Sequence, residues 1–280
     1  MKVIKYQDIV NVVSGLCQEA NYYLGEDVLN ALKEGRSKED SPLGVSILDQ
    51  IIENAAIARE ERLPMCQDTG YAVFFLEVGQ DLQFEGGLLE DAINEGVRLG
   101  YAEGFLRKSI VAHPLERKNT GDNTPAIIYT KLVAGDKLTI TIAPKGGGSE
   151  NMSGVKMLKP AQGVEGVKDF VLETVEKAGP NPCPPIVVGV GIGGTMDKAA
   201  LLAKQALLRP LNEYHNDPSI AALEKELLEK INKLGIGPQG LGGRTTALAV
   251  NVEIYAAHIA SLPVAVNINC HAARHKTITL

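Results

Sequence analysis

Three of the four cysteines stand where a loop meets a strand-like run. Cys66 opens CQDTG (66–70), Cys183 is flanked by prolines in NPCPP (181–185), and Cys270 lies in NCHAAR (269–274). The fourth, Cys17, falls inside the helical apolar pattern NVVSGLCQEANYYL and reads as core. None belongs to a C-x-x-C pair, so zinc-ribbon and thioredoxin-type readings have no support. Three thiolates brought together by the fold would suit an iron–sulfur cluster with one iron left open, because soft sulfur ligands select such metals. Buried thiols that pack as small apolar groups are the other reading, and by themselves the residues leave both standing. Beside Cys66 lie an amide and a carboxylate, Gln67 and Asp68, before Thr69-Gly70. That carboxylate suits proton transfer, but Asp before Thr-Gly also suits an Asx turn.

Elements must hold these loops. Residues up to about 60 read as helical, with Ile47, Leu48, Ile51, Ile52 and Ala55 at helical spacing in Ser46–Arg59. Strand-like runs follow at Tyr71–Val78, Ala126–Val133, Lys137–Ala143, Pro185–Gly191, Thr246–Tyr255 and Leu262–Asn269. Helical stretches lie near Leu88–Leu99, Val164–Lys177 and Met196–Leu208, and from about Asp217 to Leu234. Asp217 suits an N-cap with Pro218 at the first helical position, ahead of an apolar stripe of Ile220, Leu223, Leu227, Ile231 and Leu234. The expected fold is mixed α/β (α+β) with a helical N-terminal part, forming a single domain over 1–280. Two further loops, PKGGGSENMS (144–153) and GIGPQGLGGRTT (235–246), are rich in glycine, which lets backbone N–H groups approach a ligand.

Composition narrows the class. The 280 residues are 45% hydrophobic and 22% charged with a net charge of −6. Basic residues form no stripe, so a nucleic-acid footprint is not expected. The start, MKVIKYQDIVNVV, lacks the apolar core of a signal peptide, and no apolar run spans a bilayer, so the expected location is the cytoplasm.

One motif misleads. Gly189, Gly191 and Gly194 spell G-x-G-x-x-G after a strand-like run, the dinucleotide pattern. That pattern needs a second strand ending in an acid about twenty residues on. Glu213 has the distance but sits in a polar turn. The glycines are therefore expected to permit tight strand-to-helix packing.

Taken in order, CQDTG, KGGGSENMS, NPCPP, IGPQGLGGRTT and LPVAVNINCHAAR closely resemble the class I iron–sulfur fumarate hydratases, specifically the α-subunit of a family that includes L-tartrate dehydratase. The resemblance runs from about residue 40 to the end. It implies a cluster-binding domain of class I fumarase type, with Cys66, Cys183 and Cys270 holding a [4Fe–4S] cluster whose fourth iron is open. The implied reaction is reversible hydration of fumarate to L-malate, with the open iron acting as Lewis acid on the C2 hydroxyl; L-tartrate dehydration is the alternative, and a non-enzymatic iron–sulfur redox protein is the alternative of another class. By the same resemblance Gln67, Arg107 in GFLRKSIV and the Gly147 N–H bind substrate. Asp68 serves in proton transfer, and His258, in EIYAAHIASLP, supports catalysis close to the cluster. His271 and Arg274 offset cluster charge. Single-chain relatives continue into a second domain, whereas this chain ends ten residues after Cys270. A separate β-subunit and an α2β2 assembly are the expectation, binding a small dicarboxylate and neither nucleic acid nor membrane.

Overall fold

In the computed structural model, which describes residues 2–280, the chain runs through β1 (Lys2–Lys5), α1 (Tyr6–Tyr22), α2 (Glu26–Lys38), α3 (Pro42–Glu61), β2 (Tyr71–Gly79), β3 (Leu82–Glu85), α4 (Leu89–Glu103), β4 (Ile127–Val133) and β5 (Leu138–Lys145). It continues through a single helical turn α5 (Gly147–Glu150), β6 (Gly154–Leu158), α6 (Gly163–Ala178), β7 (Ile186–Gly194), α7 (Met196–Ala206), α8 (Pro218–Asn232), β8 (Ala247–Ala257), β9 (Leu262–Asn269) and β10 (Lys276–Thr279). The fold is mixed α/β with a helical N-terminal region, as its patterning implies. Among the described residues no helix is long and apolar enough to cross a membrane.

The chain separates into two compact units. The first comprises the N-terminal residues up to Leu24, Ala55–Gly147 and Arg274–Leu280. Its sheet has the order β10-β5-β2-β4, with β2 antiparallel to β5 and parallel to β4. β5 alternates over its first six residues, burying Leu138, Ile140 and Ile142 while Thr139 and Thr141 look away. Those two hydroxyls pair with Thr279 and Thr277 of β10 at 3.0 and 2.8 Å. α1 and α4 lay Val10, Val13, Ile93 and Val97 over Phe74, Leu76 and Ile140 to make the core. A separate parallel pair joins β1 to β3.

The second unit comprises Gly25–Asn54 and Gly148–Ala273. Its sheet has the order β6-β9-β7-β8, with β9 antiparallel to both neighbours and β7 parallel to β8. β7 alternates in a telling way. Ile186, Val188 and Val190 join one core with Val171 and Val175 of α6 and Leu223 and Leu227 of α8. The intervening Gly189 and Gly191 face α7, where a methyl group would run into the carbonyl oxygens of Ala203 and Ala199. Those glycines of the dinucleotide-like pattern therefore serve close strand-to-helix packing. Asp217 caps α8, its Oδ1 accepting the Ser219 N–H at 2.8 Å.

Candidate functional site

In the first unit the segment Met65–Gly70 is held by hydrogen bonds that run mostly between a side chain and the backbone. The Met65 N–H donates to Asn21 O at 3.0 Å. Thr69 is buried and its Oγ1 donates to Arg107 O at 3.1 Å, so the turn after α4 is tied to CQDTG. The hydroxyl of Tyr101, which is fully buried, lies 3.1 Å from Thr69 O and 3.2 Å from Gly70 O. Burial pushes the Tyr101 phenol well above its ordinary range, so it stays a neutral donor there. Asn123, also fully buried, donates to Gly70 O at 3.2 Å and accepts the Ser109 N–H at 2.7 Å. Gly70 has φ of 73° and lies against the Lys145 carbonyl, leaving no room for a Cβ.

Asp68 is the centre of this turn. Its Oδ1 accepts the Gly70 N–H at 3.0 Å, closing an Asx turn. Its Oδ2 accepts the Gly147 N–H at 2.9 Å. Its carbonyl accepts from the guanidinium of buried Arg274 at 2.7 Å. The Gly147 N–H, expected to meet substrate, donates to Asp68 here. Arg274, expected to offset cluster charge, donates to the Asp68 backbone. Cys66 is half-buried, its Sγ 3.5 Å from Gln67 Oε1, while the Gln67 and Arg107 side chains are exposed.

In the second unit the strand order explains why two distant cysteines become neighbours. β7 and β9 are antiparallel, with Val187 opposite Asn269. The loop entering β7 and the loop leaving β9 therefore emerge at one end of the sheet. The His271 N–H donates to Cys183 O at 3.3 Å, and His271 Nδ1 lies 3.1 Å from the same oxygen. Cys183 is exposed with φ of 55°, and Cys270 is half-buried. The end of β9 is pinned by Ser153 Oγ, which accepts from Ile268 N at 3.1 Å, and by Glu150, whose Oε2 accepts from Asn267 at 3.0 Å. The loop 235–246 is anchored by Glu39, which accepts the N–H groups of Arg244 and Thr245 at 2.9 Å each. Burial works against the Glu39 carboxylate, yet these backbone bonds hold its pKa below the ordinary range.

His258 is not brought beside Cys270. It occupies an exposed turn before β9, its Nδ1 accepting the Ala260 N–H at 3.1 Å. Cys270 follows the other end of that strand, and at about 3.3 Å per residue the two ends stand roughly 25 Å apart. Within this chain His258 and Cys270 therefore lie toward opposite ends of β9.

The donor chemistry fits a thiolate-held group. No disulfide involves any of the four cysteines. Cys17 is buried and its thiol is pushed far up by burial, as suits a core residue. Cys66, Cys183 and Cys270 all reach the surface, on polar loops. Among the described residues no three His, Cys, Asp or Glu side chains form a group that could hold a single metal ion; cysteines of a cluster bind different irons, so that arrangement is not what it requires.

Comparison with known proteins agrees with the motifs. The chain matches the fumarate hydratase (Fumerase) family model over residues 10–279. It is 52% identical over 272 residues to the "Putative L(+)-tartrate dehydratase subunit alpha" of Methanocaldococcus jannaschii, covering 95% of each chain. It is 34% identical over 273 residues to the L(+)-tartrate dehydratase subunit alpha of Escherichia coli, covering 96% of this chain and 90% of that one. The subunit of the same name from Shigella sonnei matches equally well. These similarities define an enzyme of the hydro-lyase class. The chain belongs to the class I fumarate hydratase family.

Tyr101, Asn123 and Arg274 are the residues that sequence reasoning did not identify as holding CQDTG. The GDNTP turn around Asn123 carries a local signal, a polar turn ahead of a strand, but nothing in it points to Gly70.

Proposed function

We propose that the chain is the α-subunit of a [4Fe–4S]-dependent hydro-lyase that interconverts fumarate and L-malate. Residues 1–280 act as one functional unit, and a separate β-subunit completes the active site in an α2β2 assembly. The observation that carries this reading is the Asp68 carboxylate, fixed by two backbone N–H groups two residues from Cys66. Support for a partner comes from the relatives, which are named as alpha subunits.

Cys66, Cys183 and Cys270 would hold the cluster, which when bound supplies a Lewis acid at the substrate hydroxyl. The remaining work falls to side chains. Asp68 accepts at both oxygens and is oriented to exchange a proton with substrate. Its rotamer is locked by Gly70 and Gly147, which removes the entropy of finding that position in each turnover. Gln67 is exposed beside it and offers both an amide donor and an acceptor to a substrate oxygen. Arg107, whose backbone is tied to Thr69, brings a guanidinium suited to a substrate carboxylate.

L(+)-tartrate is the second reading, favoured by the names of the relatives. Both substrates are four-carbon 2-hydroxy dicarboxylates, so the same groups serve either. The test is steady-state turnover of the anaerobically assembled α- and β-subunits with L-malate, fumarate and L(+)-tartrate. Malate and fumarate should show the higher kcat/KM. A preference for tartrate would assign the second reading, and no turnover of any of the three would remove both.

A further inference from the structure

The loop 235–246 resembles its family counterparts but has no role in the site so far. Within it Gln239 adopts φ of 54° and ψ of 18°, the left-handed region that a non-glycine residue occupies at a cost. Such strain persists where surrounding contacts over-determine it. Here the contacts converge on the two cysteine loops of the second unit. The Gln239 N–H donates to Pro184 O at 2.8 Å, and its side-chain Nε2 donates to the same oxygen at 2.9 Å. Nε2 also lies 3.2 Å from His271 Nδ1. Pro184 follows Cys183 directly, and His271 follows Cys270 directly. One amide side chain thus touches the residue after each cysteine.

The arrangement is redundant on the Cys183 side. Cys183 itself has a left-handed φ of 55°, and its carbonyl receives the His271 N–H. His271 Nδ1 cannot both donate to Cys183 O and accept from Gln239, so its tautomer selects one of those two contacts. The bonds from Gln239 to Pro184 O do not depend on that choice. Groups that orient metal ligands from behind are often worth 10- to 100-fold in metal retention.

We infer that Gln239 is a positioning residue that holds the Cys183 and Cys270 loops in the mutual geometry needed to grip the cluster. The inference rests on the assignment of these cysteines as cluster ligands under the proposed function. Asparagine accepts the same backbone conformation but is one methylene too short to reach both partners. Glutamate keeps the length but loses the Nε2 donor. Gln239→Asn and Gln239→Glu therefore separate the bridge from the backbone strain.

Two measurements on the full chain decide it. The first is hydrogen exchange of the cluster-free chain, read in peptides spanning 180–186 and 268–273, with thermal melting as the control for folding. Both variants should melt with wild type yet exchange faster in both peptides. The second is loss of the reduced cluster's paramagnetic resonance signal after air exposure of anaerobically reconstituted chain. Both variants should lose it about tenfold faster. Exchange and cluster lifetime at wild-type values in both variants would overturn the inference. So would faster exchange with an unchanged cluster lifetime, which would make Gln239 a fold residue only. Wild-type chain that takes up no cluster would instead remove the ligand assignment, and exchange would still report whether the bridge exists.

Discussion

Asp68 Oδ2 accepts the Gly147 N–H at 2.9 Å, joining residues 79 positions apart in the chain. The CQDTG loop and Gly147 therefore meet at one carboxylate. Asp68→Asn offers an acceptor oxygen to only one of the two N–H groups and faces the other with a donor. It should lower stability by about 1–3 kcal/mol, keep its iron, and reduce kcat of the assembled enzyme by about 100-fold or more. Denaturant unfolding, iron analysis and steady-state kinetics check the three parts. Turnover at the wild-type level would leave Asp68 as a turn residue alone.

The cysteines should divide cleanly. Cys66→Ser, Cys183→Ser and Cys270→Ser should each lose iron after anaerobic reconstitution, because each removes a thiolate from an accessible loop. Cys17→Ser should retain iron but lose stability, since it places a hydroxyl in a fully buried apolar site. Iron and sulfide analysis of the four variants checks this. Normal iron in any of the first three removes that ligand.

Much of this was readable beforehand, for identifiable reasons. Strand β9 coincides with the apolar run Leu262–Asn269, and Asp217-Pro218 marks the start of α8, because burial pattern and capping are local signals. β6 and β10 were not readable: GVKML and KTIT become strands through pairing with β9 and β5 rather than through their own pattern. The same limit applies at the site. Nothing local shows that β7 and β9 are antiparallel neighbours, which is what joins the Cys183 and Cys270 loops. Nor does sequence separation show that the twelve residues from His258 to Cys270 are spent crossing a sheet.

The turn that supports Gly70 should show in acid unfolding. Burial pushes the Asp122 carboxyl upward, but the Thr124 hydroxyl and N–H together with Arg98 override this and hold it at about 2, below its ordinary 3.8. A depressed folded-state pKa contributes stability above the unfolded value and loses it as pH falls through the folded one. The contribution is therefore complete above about pH 4 and disappears toward pH 2. Asp122→Asn should be less stable than wild type at pH 6 and approach it near pH 2. A stability difference that stays constant over this range would contradict the assignment.

Packing at β7 gives a prediction independent of the chemistry. Gly191→Ala would drive a methyl group into the Ala199 carbonyl of α7. Relief requires α7 to move off the sheet, at a cost of about 1–3 kcal/mol. Thermal or denaturant unfolding measures it. An unchanged midpoint would show that α7 does not rest on β7 as closely as described.

The most direct test is spectroscopic. The chain is assembled with its β-subunit, reconstituted anaerobically with iron and sulfide, reduced, and examined by electron paramagnetic resonance with and without L-malate, fumarate and L(+)-tartrate. A [4Fe–4S] signal that shifts when a dicarboxylate is added is the predicted result, since it requires an iron open to substrate. A cluster signal indifferent to all three, or no cluster at all, would contradict the account.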